Sequence, residues 1–279
     1  MPLKLMYITN RPDVALIAEA AGVDRVFVDM EYIGKAQRQG GMDTVQSRHT
    51  VEDIASVRKV LHKSQLLVRC NPIHDATEKY GSSAEEIEGV VAAGADLIML
   101  PYFKTAEEVR TFISLVSGRA KTVLLLETPE AAEHIDEILA VEGIDEVHIG
   151  LNDLSLGYGM KFMFEPLANG MVDVLAKKMR DKGIPFGVGG IASLGKGMLP
   201  AEHVICEHYR LGSTAAILSR SFCNVAMLQD LGQVRSVFTQ GVHDIRAFEG
   251  KCMMHPEDWE ENRRAVEDIV QKIVNGAKV

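Results

Sequence analysis

The composition of this chain is that of an ordinary globular protein, and its charge argues against several functions. The chain has 279 residues, of which 47% are hydrophobic and 25% charged, and its formal net charge at pH 7 is −9. No run approaches the ~18 apolar residues of a membrane-spanning helix, and residues 1–13 become polar too early for a secretory signal. An acidic chain is a poor general binder of nucleic acid, and it needs an arginine or a metal ion wherever it binds an anion.

Cysteine usage indicates a reducing compartment. The four cysteines are scattered without a CxxC pair, at Cys70, Cys206, Cys223 and Cys252. This pattern favours reduced, buried thiols over a disulfide framework or a zinc site. We therefore expect a cytoplasmic protein that binds neither nucleic acid nor a membrane.

One pattern repeats eight times along the chain. A short apolar run rich in β-branched residues is followed by a segment with the spacing of a helix. The runs are almost continuously apolar, as in parallel strands covered on both faces, and comprise residues 3–9, 25–31, 65–70, 96–103, 122–128, 146–150, 185–190 and 213–219. Eight alternations favour an α/β fold, a closed (β/α)8 TIM barrel, over a doubly wound open sheet. No GxGxxG motif follows the first strand to support a dinucleotide-binding version.

Glycines and short polar residues mark the ends of the predicted helices. A left-handed glycine is predicted to end four of them, at Gly22, Gly94, Gly143 and Gly183. N-caps are predicted at Asp13, Ser82 and Thr105, and Ser83 with Glu86 resembles a capping box.

Two segments exceed what a single barrel domain over residues 1–279 requires. Residues 32–50 lengthen the loop after the second strand, and residues 221–279 form a helical C-terminal extension. The end of the extension, residues 259–279, is amphipathic. We expect this helix to pack against a neighbouring subunit, and an extra helix on the parent barrel fits the same pattern.

Charged residues follow the second and third strands, at the barrel end that carries active sites. Asp29 and Glu31 end the second strand, and Arg69 ends the third. Arginine is rarely buried without a partner. Arg69 therefore either pairs with a strand-end carboxylate or binds an anionic substrate oxygen, and the two roles are compatible.

Two further carboxylates follow consecutive strands. Glu127 ends the fifth strand and Asp153 follows the sixth. Neighbouring strands lie ~4.8 Å apart, so these carboxylates repel each other unless a proton, Arg69 or a divalent cation lies between them. Two carboxylates, waters and a chelating substrate would complete the oxygen octahedron suited to Mg²⁺ or Mn²⁺. The alternative is that Glu127 caps the helix that begins at Pro129 and Asp153 only stabilises its loop.

A histidine is the candidate general base. His49 closes the long inserted loop, and a histidine over the barrel mouth has a pKa near the working pH. No lysine ends a strand in the usual Schiff-base position, and Lys104 stands in the context of a helix start. A metal route is therefore favoured over an imine route.

Four segments together resemble the HpcH/HpaI aldolase and citrate lyase family: VFVDMEY, LLVRC, GADLIMLPYFKTAEEV and LLLETPEAAEHIDEILAVEGIDEVHIGLNDLSLGYG. The resemblance covers roughly residues 3–230 and is densest over 94–157. It implies a class II, metal-dependent pyruvate aldolase built on a (β/α)8 barrel. It also implies a last helix exchanged with a partner subunit, often within a homo-hexamer.

The resemblance assigns roles to individual residues of this chain. It makes Glu127 and Asp153 the metal ligands, for Mg²⁺ or Mn²⁺ with Co²⁺ as a further option. It makes Arg69 the residue that stabilises the pyruvate enolate, and Asn152 a ligand of the pyruvate carboxylate and oxo group beside the loop glycine Gly150.

One position departs from the family pattern. Aldolases of this family commonly carry a histidine directly after the second strand's acidic pair, in an Asp-x-Glu-His arrangement implicated in proton transfer, and here that residue is Tyr32. Either His49 folds back to replace the missing histidine, or proton transfer proceeds differently.

The resulting expectation is a carbon–carbon lyase that cleaves or forms a 4-hydroxy-2-oxoacid through a pyruvate enolate. Its substrates would be pyruvate and an aldehyde, and its base would be His49 or a water activated by the metal.

A malyl- or citryl-thioester lyase on the same barrel is the first alternative. Cationic residues of the inserted loop could bind a phosphate or sugar-acid group of a larger substrate: Lys35, Arg38 and Arg48. A barrel that has lost its chemistry is the second alternative, and the intact set of Arg69, Glu127 and Asp153 argues against it.

Overall fold

The eight strands close into a parallel barrel. In the computed structural model, which describes residues 1–35, 48–228 and 230–276, each strand pairs with the next and β8 returns to pair with β1. The strands are β1 Lys4–Ile8, β2 Arg25–Asp29, β3 Gln65–Arg69, β4 Leu97–Leu100, β5 Lys121–Leu126, β6 Glu146–Ile149, β7 Phe186–Ile191 and β8 Ala215–Leu218. The predicted (β/α)8 barrel is confirmed, and the open sheet is excluded because β1 and β8 are not edge strands.

Helices connect the strands and cover the barrel. They are α1 Pro12–Ala20, α2 Val51–Arg58, α3 Ser83–Ala92, α4 Ala106–Val116, α5 Pro129–Glu133, α6 Ile135–Ile138, α7 Leu151–Gly157, α8 Glu165–Ala168, α9 Met171–Asp181, α10 Ala201–Leu211, α11 Leu231–Met254 and α12 Trp259–Val274. Outward strand side chains such as Val26 and Val68 join helix side chains such as Ile54 and Val90 in the main hydrophobic core. Burial on both faces explains why the strands read as unbroken apolar runs.

The predicted helix ends are confirmed in part. Gly22, Gly94 and Gly183 directly follow the C-caps of their helices and have φ between +70° and +95°, and Thr105 caps α4. Gly143 also has a positive φ, but it ends no helix, because α6 ends at Ile138 with Leu139 as its C-cap. Asp13 is not an N-cap, because Pro12 begins α1 and places Asp13 inside its first turn, with Arg11 at the N-cap. The capping box is formed by Ser82 and Glu85, one residue earlier than predicted, because the Ser82 hydroxyl accepts from the backbone N–H of Glu85.

Side chains inside the barrel form a charged floor, an apolar middle and a charged mouth. At the N-terminal ends of the strands, Arg25 pairs with Glu146 at 2.6 Å and Lys4 lies 3.3 Å from the same carboxylate. The middle is filled by apolar side chains that include Met6, Phe27, Leu67, Met99, Val123 and Leu125. Because side chains alternate along a strand, the next inward position of β2 and β3 falls on Asp29 and Arg69. The charged residues predicted at the strand ends therefore surround the open C-terminal mouth.

The C-terminal extension packs on its own barrel in this single chain. Helix α11 contacts α1 and α10, and α12 contacts α10 and α8. The exchange of the last helix between subunits, and the assignment of residues 1–279 to one domain, stay predictions. Residues 36–47 of the inserted loop, which include Arg38, lie outside the described residues. Among the helices that the structure describes, none combines the length and apolarity needed to cross a bilayer.

Candidate active site

Asp29 and Arg69 meet at the barrel mouth as register partners on β2 and β3. The Arg69 Nε and Nη2 atoms each lie 2.7 Å from one oxygen of the Asp29 carboxylate. Because a planar guanidinium matches a carboxylate edge to edge, this bidentate contact fixes the direction of the arginine side chain. The ring of Phe27 lies beneath it, with its centroid 5.6 Å from the guanidinium carbon. The structural pairing expected for Arg69 is present, and its substrate-binding role stays a prediction.

A second cation completes a buried group of four charges. Lys35 Nζ lies 3.0 Å from Asp29 Oδ2 and 3.3 Å from Glu31 Oε2. Arg69 contacts the same two oxygens, through Nη2 at 2.7 Å and Nη1 at 3.3 Å. The Lys35, Asp29 and Glu31 side chains are at most 5% exposed, and Arg69 is 13% exposed. We call Asp29, Glu31, Lys35 and Arg69 the four-charge cluster.

Asp29 and Arg69 stay charged at every working pH. Burial disfavours the charge on Asp29, but Arg69 and Lys35 outweigh it and hold the pKa of Asp29 well below its usual range. Burial also disfavours the charge on Arg69, and the carboxylates of Asp29 and Glu31 outweigh it and raise the arginine pKa further. Arg69 is therefore a permanent positive charge and hydrogen-bond donor at the mouth, with no role as a proton acceptor.

Glu127 and Asp153 line one small cavity beside this cluster. The cavity has a volume of about 160 Å³ and is lined by these two carboxylates with Tyr102, Pro129, Leu156 and Gly157. Glu127 follows β5 directly, and Asp153 lies in the first turn of α7, which follows β6. The two carboxylates predicted from consecutive strands are thus brought to the same space.

Three local features direct the Glu127 side chain into the cavity. The backbone N–H of Tyr102 donates to Glu127 Oε1 at 3.1 Å, from a residue with φ of +49°. A Cβ at Gly150 would lie 2.9 Å from both Cβ and Oε2 of Glu127, so the absence of a side chain there makes room for the glutamate. Thr128 is the N-cap of α5, and its hydroxyl accepts from the N–H of Ala131. The alternative in which Glu127 caps that helix is therefore wrong, because Thr128 performs that function.

The segment around Asp153 is more regular than its glycines suggest. Asp153 and Gly150 were expected to lie in a loop, but Leu151–Gly157 is a helix, with Gly150 at its N-cap. The Asn152 amide donates to Asp153 Oδ1 at 3.0 Å. Asn152 therefore orients the neighbouring carboxylate in this state, and its contact with substrate stays a prediction.

Comparison with known proteins places this site in a family. A family model described as HpcH/HpaI aldolase/citrate lyase matches residues 4–165, more than half of the chain. The chain belongs to the HpcH/HpaI aldolase/citrate lyase family. The matched segment of this aldolase-family chain contains the four-charge cluster and both cavity carboxylates, so the resemblance drawn from the strand-end motifs is confirmed.

Individual relatives agree with this assignment. A hydroxypyruvate/pyruvate aldolase from Sagittula stellata is 29% identical over a match that covers 42% of this chain and 58% of that protein, so the chain spans less than two thirds of that relative's length. The solved HpcH/HpaI aldolase from Desulfitobacterium hafniense DCB-2 superposes with a TM-score of 0.58 at 18% identity, covering 88% of this chain and 93% of the other. An HpcH/HpaI aldolase/citrate lyase family protein from Burkholderia cenocepacia J2315 gives 0.63 at 15% identity, covering 84% and 95%. The citrate synthase SbnG gives 0.58 at 17% identity, covering 87% and 92%. At these identities, the solved structures support the fold alone.

The donor set at the cavity fits a hard divalent cation. Glu127 and Asp153 present carboxylate oxygens, which Mg²⁺ and Mn²⁺ prefer, and no thiolate or imidazole lines the same cavity. Within residues 1–35, 48–228 and 230–276, no group of three or more His, Cys, Asp or Glu side chains is arranged to hold a metal. In this part of the aldolase-family chain the two carboxylates are the candidate ligands, and Mg²⁺, Mn²⁺ or Co²⁺ dependence stays a prediction.

His49 lies against the cluster, in a protonation state that the structure constrains. Its Nδ1 accepts from the backbone N–H of Asp29 at 2.9 Å, so the neutral ring carries its proton on Nε2. Burial lowers the pKa of His49 below its usual value. In this arrangement His49 offers a donor rather than a lone pair, and its role as general base stays a prediction. Tyr32, at the position of the usual family histidine, is 48% exposed and faces Tyr80.

Sequence reasoning missed several residues that shape this site. Lys35 was predicted to bind a phosphate or sugar-acid group from the inserted loop. In the structure its side chain is buried in the four-charge cluster. Tyr102 carried no signal, because only its backbone N–H is used. Away from the site, His208 is buried on α10, where its Nδ1 lies 2.8 Å from Ser213 Oγ.

Proposed function

We propose that this chain is a divalent-metal-dependent carbon–carbon lyase that cleaves or forms a 4-hydroxy-2-oxoacid through a pyruvate enolate. The observation that carries the proposal is the convergence of Glu127 and Asp153 on one cavity at the barrel end where Arg69 is held. Membership of the aldolase/citrate lyase family supports the reaction class. The similarity to a hydroxypyruvate/pyruvate aldolase supports pyruvate and an aldehyde as substrates.

In this proposal Glu127 and Asp153 bind the metal ion, and Arg69 stabilises the negative charge of the enolate. Glu127 and Asp153 would hold the cation, which when bound supplies Lewis-acid stabilisation of the charge that develops on the 2-oxo oxygen. Arg69 has five N–H donors, of which Asp29 engages one on Nε and one on Nη2, while Nη1 lies 3.3 Å from Glu31 Oε2. The remaining donors of a guanidinium held in one direction stabilise an oxyanion without reorganisation during the reaction.

Proton transfer from the C4 hydroxyl requires an acceptor at the mouth. His49 serves this role once its Nδ1 is released from the Asp29 N–H, and a water molecule serves it otherwise. A cytoplasmic location and a homo-oligomer, as in the hexamers of the family resemblance, belong to the same proposal, and light scattering measures the oligomer mass.

The decisive experiment follows the methyl signal of pyruvate by ¹H NMR in D₂O with Mg²⁺ or Mn²⁺. Enolisation exchanges the methyl protons without any aldehyde, so the true aldehyde need not be known. We expect exchange that EDTA abolishes and that Glu127→Gln slows by at least about 100-fold, with parallel loss of Mn²⁺ binding measured by water-proton relaxation.

The matched control is Glu130→Gln in the same ETPE segment. Glu130 is 47% exposed and pairs with Lys104 at 2.7 Å, away from the cavity carboxylates, so its loss should leave exchange and Mn²⁺ binding unchanged. Equal effects of the two variants would refute the placement of the metal. No exchange with any divalent cation would overturn the pyruvate-lyase proposal. Assays with malyl and citryl thioesters would then separate the thioester lyase from a non-catalytic barrel.

A further inference from the structure

Two cysteines that are distant in the sequence lie in contact on the outside of the barrel. Cys206 lies on α10 and Cys252 on α11, and their Sγ atoms are 2.6 Å apart. This separation exceeds the ~2.05 Å of a covalent S–S bond by only about 0.6 Å. Both cysteines are free thiols in this structure. Together they can give up two electrons, and their sulfurs are close enough for a bond to form with little movement.

The pair opens onto a groove through which a small molecule can reach it. The groove has a volume of about 670 Å³ and includes both cysteines among its lining residues, together with His203, Lys251 and His255. Cys206 is partly exposed, whereas Cys252 is 5% exposed. Asp258 and Glu261 line the same groove, so its wall carries charges of both signs.

The contact couples the two thiols through one shared hydrogen bond, for which either sulfur can be the donor. Thiol–disulfide exchange needs one thiolate as the nucleophile and a second thiol within reach to displace the small thiol from the mixed disulfide. The two adjacent sulfurs meet this requirement, whichever of them attacks first.

The position of the pair connects it to the C-terminal extension. Cys252 lies two residues before Met254, the last residue of α11. Its carbonyl accepts from Trp259 Nε1 at 3.0 Å, at the start of α12. Asn262 of α12 in turn donates to the carbonyl of His203 on α10 at 3.1 Å. A covalent bond between the cysteines would therefore tie the α11–α12 junction to α10.

We propose that Cys206 and Cys252 form a reversible disulfide by exchange with a small-molecule disulfide of the glutathione type, and that this bond fastens the C-terminal extension to its own barrel. The thiolate of one cysteine attacks the small disulfide, RSSR, and releases one RS⁻. The thiol of the other cysteine loses its proton and attacks the protein sulfur of the mixed disulfide, which releases the second RS⁻. The protein dithiol is oxidised by two electrons, RSSR is reduced, and the two thiol protons end on two RSH molecules.

The test equilibrates the intact protein in glutathione buffers of increasing oxidised fraction and then titrates free thiols after denaturation. We expect wild type to fall from four titratable thiols to two, to lose the mass of two hydrogens and to retain no glutathione adduct. A disulfide that closes this long loop should raise the melting temperature by about 5 °C or more relative to the reduced protein.

Single variants distinguish the pair from general oxidation. Cys206→Ser and Cys252→Ser should each abolish the redox dependence of the melting temperature, and each should leave the remaining partner as a mixed disulfide or a free thiol. Cys223→Ser, a buried cysteine outside the pair, should lose two thiols as wild type does. Retention of all four thiols in wild type, a bond between two chains on non-reducing gels, or an unchanged melting temperature on oxidation would each overturn the proposal.

Discussion

The contribution of the four-charge cluster to stability can be tested by neutralising Asp29. Asp29 accepts from Arg69 Nε and Nη2 at 2.7 Å each and from Lys35 Nζ at 3.0 Å. Asp29→Asn keeps the shape but leaves two buried cations facing the single carboxylate of Glu31. Removing one partner from a buried ion pair costs about 3–5 kcal/mol, because the remaining charges stay desolvated. We therefore expect the free energy of unfolding to fall by about 3 kcal/mol or more.

The chain contains a matched control on its surface. Asp13 accepts from Arg11 through both oxygens, at 3.1 and 2.6 Å, but its side chain is 43% exposed and that of Arg11 is 50% exposed. Because water solvates both ions when the pair is broken, Asp13→Asn should cost no more than about 1 kcal/mol. The two substitutions share the same chemistry and the same pairing geometry, so their difference measures the effect of burial.

The assay is urea unfolding followed by far-UV circular dichroism between pH 3 and pH 8. Burial raises the pKa of Asp29, but Arg69 and Lys35 outweigh it, so the folded pKa lies below the unfolded value of ~3.9. Its stabilisation is therefore complete above ~3.9 and is lost as the pH falls through the lower folded pKa. The gap between wild type and Asp29→Asn should be constant from pH 8 to about pH 5 and narrow below about pH 4. A cost no larger than that of Asp13→Asn at pH 7 would refute the reasoning.

Three further outcomes follow from the same geometry. Gly150→Ala would place a Cβ 2.9 Å from the Glu127 carboxylate. We therefore expect the free energy of unfolding to fall by about 1–3 kcal/mol and the pyruvate exchange to become at least tenfold slower. Gly250 lies inside a helix, and a Cβ added there would meet no neighbouring atom within 4 Å. Gly250→Ala should therefore raise the free energy of unfolding by about 0.5–1 kcal/mol. Equal changes of the two alanine variants in urea unfolding would contradict the crowding argument. Arg69→Lys keeps the positive charge but loses the planar, bidentate guanidinium. The rate of pyruvate exchange should therefore fall about 100-fold while Mn²⁺ binding stays unchanged. Exchange at the wild-type rate would contradict this expectation. Burial lowers the pKa of His208 to about 3. Between about pH 6.5 and pH 3 the unfolded chain therefore binds a proton that the folded chain excludes. The free energy of unfolding falls by about 1.4 kcal/mol for each pH unit by which the pH is lowered in this range. His208→Gln should flatten the dependence of urea midpoints on pH, and a dependence as steep as that of wild type would contradict the argument.

The chemistry of the mouth was only partly accessible from the sequence. Arg69, Glu127 and Asp153 could be identified because each stands at the end of an apolar run or within four positions of it, and barrel strands deliver such residues to one face. Their partners could not be identified in the same way. Lys35 belongs to no strand, and Tyr102 contributes only a backbone N–H, so neither has a periodicity that reports its role.

Histidine and cysteine positions show the same division. His49 was placed near the mouth from its position at the end of the inserted loop, but the atom that it offers depends on a hydrogen bond from the backbone of Asp29. Cys206 and Cys252 appeared as scattered thiols, and the packing of α11 on α10 brings their sulfurs together.

The sequence by itself determined the eight strands, the order of strands and helices and the residues available at each strand end. These features are local, since apolar runs, glycine helix ends and strand-terminal charges act over a few neighbouring residues. Only the tertiary structure decided which side chains meet: Asp29 with Arg69, Glu127 with the N–H of Tyr102, and Cys206 with Cys252. Each of these contacts joins different elements and depends on strand register or helix packing to within about an ångström, which no local pattern encodes.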